Sequence, residues 1–193
     1  MHVAFQGSIA TMTHPAPEAL REPLTITVPR WFVLAGLALL MATAAPALLV
    51  VADRVHLDPW VHDVALFGHL AFLLLGFGAV LSVDSVALQW VVGRRQLHDV
   101  VATAGHVQAA IWVGYAGLVA SGIVLEPDLT RTVTQIKLGS VLLIGLNGLV
   151  ATWLHWHLEV SSTRRVLAAG MACAAVSQAA WWTATVIGFL NAH

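Results

Sequence analysis

The chain has little of what a soluble protein depends on. Only 10% of its 193 residues are charged and 59% are hydrophobic, whereas a soluble domain carries about 25% charged residues. It has one cysteine, Cys173, so neither an intrachain disulfide nor a CxxC redox pair can form. Nine basic and ten acidic residues nearly balance, so no net charge points to an acidic or basic partner. These shortages exclude a disordered chain, a nucleic-acid-binding module and an ordinary cytosolic enzyme.

Long apolar runs are what the chain has in abundance, and they predict an integral membrane protein. A helix of about 20 apolar residues spans a bilayer, and the runs are too long and too uniform for strands. The predicted fold class is all-α: a multi-pass protein with five transmembrane helices in an up-down bundle. The predicted helices cover residues 31–52, 64–93, 101–125, 132–158 and 166–190. Residues 1–29 are expected to form a flexible cytoplasmic tail, and residues 30–193 the transmembrane domain.

The arginines predict the direction of the helices, because cytoplasmic loops carry an excess of basic residues. Two arginines, Arg54 and Arg131, fall in the loops of one side. Six fall before the first helix or in the loops of the other side: Arg21, Arg30, Arg94, Arg95, Arg164 and Arg165. The sequence therefore predicts an N-terminus inside the cell and a C-terminus outside it.

Ionisable side chains at membrane depth are candidates for function, because they are costly to place there. Asp84, His106 and His155 each lie nine to eleven residues from an inner-loop arginine. Because a helix rises 1.5 Å per residue, these three side chains are predicted to lie at a similar height in the inner half of the membrane. We call them the inner level. Because the second and third helices form an antiparallel hairpin, we expect Asp84 and His106 to interact directly or through one water.

A second group, the outer level, consists of His69, Ser121 and Lys137. His69 and Lys137 each follow a charged outer-loop residue by six positions, and Ser121 precedes one by five. Helical phase relates the two levels: Lys137 and His155 are 18 residues apart, or five whole turns. We expect His69 and Lys137 to point into one interhelical space. In the alternative, Lys137 snorkels to the outer interface.

The middle of the chain resembles two families of bacterial membrane proteins. The residues that carry the resemblance are His69 and Gly78 in the second helix, Ser121 and Gly122 in the third, and Thr132, Lys137, Leu138 and Asn147 in the fourth. Over residues 60–158 the pattern resembles the membrane domain of the copper-resistance D family. The order of histidine and lysine is similar to that of the bacterial membrane protoporphyrinogen IX oxidase. The resemblance implies a bacterial inner-membrane bundle in which His69 and Lys137 hold a b-type haem.

Three functions are compatible with these patterns. The first is a redox protein that binds haem between the second and fourth helices. The second is a copper transporter or copper-resistance permease with His69 as a metal ligand, although copper(I) prefers the Met and Cys ligands that are scarce here. The third is a non-catalytic assembly or partner protein whose polar side chains serve packing, in a homo-oligomer or with another membrane protein. No hydrolase or nucleotide-binding motif occurs, and whether the chain is an enzyme stays open.

Overall fold

The computed structural model describes residues 29–52, 58–158, 160 and 163–190. They form five helices: α1 (Arg30–Ala52), α2 (Pro59–Val91), α3 (Leu97–Val124), α4 (Thr132–Leu158) and α5 (Arg164–Leu190). No strand occurs in these residues, so the all-α prediction is confirmed for this part of the chain. The predicted tail up to residue 28 and the C-terminal His193 lie outside the described residues.

Four helices, α2 to α5, are long and apolar enough to cross a membrane. Their outward-facing side chains include Phe67 and Leu74, each 76% exposed. Large apolar side chains in such number are costly in water and need a hydrocarbon environment. The described apolar part of α1 is shorter, Trp31–Thr43, so a fifth membrane span stays a prediction.

Two helices begin earlier than their apolar runs indicate. α2 begins at Pro59 and α3 at Leu97, whereas the predicted spans begin at residues 64 and 101. Hydropathy marks the hydrocarbon boundary, but polar residues outside it start the helix. Pro59 occupies the first turn of α2, where a missing N–H costs nothing. At the start of α3 the Gln96 N–H donates to Asp99 Oδ2 at 3.0 Å, which satisfies a backbone donor there.

The hairpin of α2 and α3 is packed through small residues. A Cβ added at Gly114 would overlap the backbone of Gly76, and one added at Gly117 would overlap the Phe72 ring. Close backbone approach through glycine is how helices pack when lipid supplies no hydrophobic drive between them. Between the helices Gly93 adopts a positive φ of 74°, the conformation that glycine favours at a helix end. The hairpin fixes the register of His69 against Ser121.

The second hairpin pairs α4 with α5, and α1 packs on α4 and α3. An aromatic core joins the two hairpins in the middle of the bundle. Trp181 of α5 is 2% exposed and stacks on Phe77 of α2 with ring centroids 5.3 Å apart. On the other side, Tyr115 of α3 packs so close to Gly145 of α4 that a Cβ there would overlap it. This core lies between the outer and inner levels.

The predicted orientation can be tested with reporter fusions placed after residue 97 and after residue 193. If the chain crosses the membrane five times, these points are separated by three spans and should report opposite sides. Two reporters on the same side would contradict the five-span topology.

Candidate functional site

The outer level contains a hydrogen-bonded histidine and serine. His69 Nδ1 on α2 lies 2.9 Å from Ser121 Oγ on α3, and the Ser121 hydroxyl donates to the Gly117 carbonyl at 2.6 Å. The ring also lies beside Gly122, where an added Cβ would be in ordinary contact with His69 Cε1 at 3.5 Å. The Leu118 carbonyl of the same helix also interacts with the ring. His69 is therefore held against α3 by several contacts.

This arrangement is compatible with the histidine tautomer that binds metals. A serine hydroxyl has one hydrogen to donate, and the Gly117 carbonyl is its shorter contact. When the Ser121 hydrogen points to Gly117, Nδ1 of a neutral His69 carries the ring hydrogen and donates it to Ser121 Oγ. The second ring nitrogen, Nε2, is left with its lone pair, as in a histidine that ligates a metal.

Lys137 completes the outer level. It is half-buried on α4, and its charge lies close enough to act on His69. The structure thus joins His69 and Ser121 by a hydrogen bond, with Lys137 within electrostatic range of His69. α2 and α4 are not among the extensively packed helix pairs.

The turn between α3 and α4 contains hydrogen bonds to the Asp128 side chain. Asp128 Oδ1 accepts hydrogen bonds from the Thr130 hydroxyl at 2.6 Å and from the Thr130 N–H at 3.0 Å. These bonds, together with the nearby Arg131 guanidinium, hold the pKa of the Asp128 carboxyl below its usual range. Asp128 is therefore ionised at neutral pH and keeps the turn closed.

The inner level differs from its expected arrangement. Asp84 accepts a hydrogen bond from Gln178 Nε2 of α5, and the expected direct pair with His106 is not formed. The His106 ring is exposed and lies back on its own helix, with Nδ1 2.6 Å from the Ala102 carbonyl. His155 of α4 lies against Gly105 of α3, 3.6 Å from the position of an added Cβ. Height along the membrane was thus insufficient to predict the lateral partner.

A cavity of about 270 Å³ lies between α2, α3, α4 and α5 on the inner side of the aromatic core. Asp84 and His155 both line it, whereas His106 borders a neighbouring surface groove. Its walls are otherwise mostly apolar, and Asn147 and Thr152 are among the few polar side chains on them. Two residues of the inner level, Asp84 and His155, therefore face a common space.

Neutral polar side chains link helices around this cavity, and a search restricted to ionisable residues does not find them. Gln108 Nε2 of α3 donates to Thr152 Oγ1 of α4 at 3.2 Å. Asn147 Nδ2 of α4 donates to the Cys173 carbonyl of α5 at 3.0 Å. Amide and hydroxyl side chains inside apolar runs are the signal for such links, because they too need partners in hydrocarbon.

The described residues contain no group of three or more His, Cys, Asp or Glu side chains placed to hold a metal ion. His69 has a serine and a lysine as its polar neighbours. It can therefore supply one strong nitrogen ligand, and any metal there must bring other ligands with it.

No family model, curated protein or solved structure matches this chain. The likeness of residues 60–158 to the copper-resistance D family and to the oxidase stays a prediction. Function is inferred below from the residues of this chain.

Proposed function

We propose that this integral membrane protein binds a b-type haem in a redox role, with His69 as the axial ligand and Lys137 as the second-ligand candidate. The observation that carries the proposal is the hydrogen bond between His69 Nδ1 and Ser121 Oγ. In the tautomer whose Nδ1 hydrogen points to Ser121 Oγ, the lone pair of Nε2 is able to coordinate iron. A histidine ligand oriented by a hydrogen bond from its other nitrogen is typical of metal sites.

The number of protein ligands favours haem over a bare copper ion. A porphyrin supplies four nitrogen donors, so the protein needs to add only one or two. A copper ion held by protein alone requires several sulfur or nitrogen ligands, and the described residues offer no group of three. Two protein ligands, His69 and Lys137, would be enough to complete the coordination of a haem iron. They would be too few for a copper ion that is bound by protein side chains alone.

Each residue of the outer level has a distinct role in this proposal. His69 would coordinate the haem iron, and Ser121 would fix the direction of the imidazole ring. Lys137 can coordinate only as the neutral amine, since the ammonium has no lone pair. Bound haem would supply one-electron chemistry, and the space between α2 and α4 would hold it. The cellular location that follows from the resemblance is the bacterial inner membrane.

A haemin titration tests the proposal. Purified protein in a non-ionic detergent should bind haemin saturably, at one haem per chain, with a Soret band. Ser121→Ala should weaken binding about two- to tenfold, because a hydrogen bond contributes roughly 0.5–1.5 kcal/mol. Lys137→Ala should shift or weaken the band.

The matched control is Ser140→Ala on α4. The Ser140 hydroxyl donates to the Ile136 carbonyl of its own helix and does not contact His69, so the titration should be unchanged. Non-saturable uptake of haemin that is identical for all variants would reject haem binding.

A second candidate is a non-catalytic membrane assembly or partner protein. It is favoured by the interhelical bonds of Gln178 with Asp84 and of Gln108 with Thr152, since buried polar side chains in membranes often serve packing alone. This function predicts that His69 is replaceable with little effect on any spectrum.

A further inference from the structure

The cavity on the inner side of the aromatic core has the size of a small-molecule site. Its volume is about 270 Å³, and an apolar cavity of about 150 Å³ is known to hold benzene. There is room for one aromatic ring with a short substituent. Trp181 lines the end in the middle of the bundle, and Leu97, Leu158 and Leu167 line the end near the α2–α3 and α4–α5 connections.

A directed chain of hydrogen bonds ends at the carboxylate of Asp84 on the cavity wall. The indole of Trp182 can only donate, and it donates to Gln178 Oε1 at 3.0 Å. This contact orients the amide, so that Gln178 Nε2 donates to Asp84 Oδ2. Asp84 is thus arranged as an acceptor, the role that suits an ionised carboxylate.

The wall combines this carboxylate with aromatic rings. Among the described residues, Asp84 is the one Asp, Glu, Lys or Arg side chain that lines the cavity. The other titratable side chains on the cavity wall are His155 and Cys173. Indole rings of Trp90, Trp112 and Trp181 also line the cavity. An ionised carboxylate at membrane depth is stabilised by a counter-charge, and tryptophan faces attract cations.

We propose that this cavity binds a small lipophilic organic cation, an ammonium group attached to one ring or a short apolar chain. The positive charge lies beside Asp84, and the apolar part fills the space among the tryptophan rings. This site is separate from the outer level and does not depend on haem.

A surface groove beside α3 and α4 adjoins the cavity. The surface groove that His98 and His106 border shares Leu97, Val101, His155 and Leu158 with the cavity wall. α3 and α4 are less extensively packed than the helices within either hairpin. In this proposal a ligand enters the cavity past His155, from the side of the bundle.

The test compares two ligands of the same shape and different charge. Benzyltrimethylammonium and its neutral isostere neopentylbenzene are titrated into the full-length protein in a non-ionic detergent by isothermal titration calorimetry. The cation should bind saturably and about tenfold or more tightly than the isostere, because a charge pair at membrane depth contributes more than roughly 1.4 kcal/mol. Equal affinity for the two, or no saturable binding because lipid or detergent fills the cavity, would overturn the proposal.

Two substitutions in α2 locate the site. Asp84→Asn keeps an acceptor for Gln178 and should weaken binding of the cation about tenfold, with no change for the isostere. Ala87→Leu, one turn further along the same cavity wall, should weaken both ligands. Cation binding that survives both substitutions would place the site elsewhere and reject the proposal.

The control is Asp63→Asn, the same change in the same helix at a carboxylate that is 86% exposed. It should leave both titrations unchanged. Circular dichroism and gel filtration verify the fold of each variant. Neither Asp84 nor Ala87 belongs to the outer level, so the haemin titration should be normal in both. A failed haem proposal and a failed cation proposal are thus distinguishable.

Discussion

Alanine in place of His69 should abolish the Soret band of the haem-loaded protein, the largest spectral effect expected of any substitution. The His69 imidazole can coordinate iron in its neutral form, and Ser121 Oγ lies 2.9 Å from Nδ1, where it can accept the hydrogen of that nitrogen. Lys137→Ala should only shift or weaken the band, because lysine must lose a proton before it can coordinate.

The control for this prediction is His106→Ala. His106 is an exposed histidine of α3 whose ring nitrogen lies 2.6 Å from the Ala102 carbonyl of its own helix, so its loss should leave the band in place. A band that persists in His69→Ala, or one that His106→Ala removes instead, would contradict the assignment of the ligand.

The substitution Gly114→Ala should have the largest effect on stability. Its Cβ would overlap the backbone of Gly76, and backbone cannot move aside as a flexible side chain can. Overpacking of this kind costs about 1–3 kcal/mol. Unfolding in a graded mixture of detergents should therefore begin at a lower SDS fraction than in the unsubstituted protein. Because the same hairpin holds His69 against Ser121, haemin binding should weaken as well.

Gly78→Ala is the matched control, since it lies in the same hairpin and an added Cβ there meets nothing within 4 Å. It should unfold like the unsubstituted protein. If Gly114→Ala and Gly78→Ala were equally stable, the close crossing of α2 and α3 would be wrong.

The helices could be predicted because the bilayer leaves few alternatives. Backbone N–H and C=O groups in hydrocarbon must form hydrogen bonds within their own segment. A charge-free run that is long enough to span the bilayer therefore becomes a helix. The prediction failed at the first turns of α2 and α3, where Pro59 and the Gln96–Asp99 bond extend the helix into polar sequence. Hydropathy carries no information about such starts.

The site was predictable in height but not in lateral contacts. Counting from the loops placed His69 and Ser121 at one level, and they form a hydrogen bond. The same reasoning paired Asp84 with His106, but Gln178 of α5 is the partner. Height follows from the rise per residue, whereas the partner depends on which helices adjoin and on side-chain rotamers.

The absorption spectrum of the protein purified from membranes, read together with metal analysis of the same sample, tests the central claim most directly. The account predicts a Soret band and iron approaching one atom per chain. A preparation with no Soret band and no iron, or with stoichiometric copper in its place, would contradict haem binding at His69.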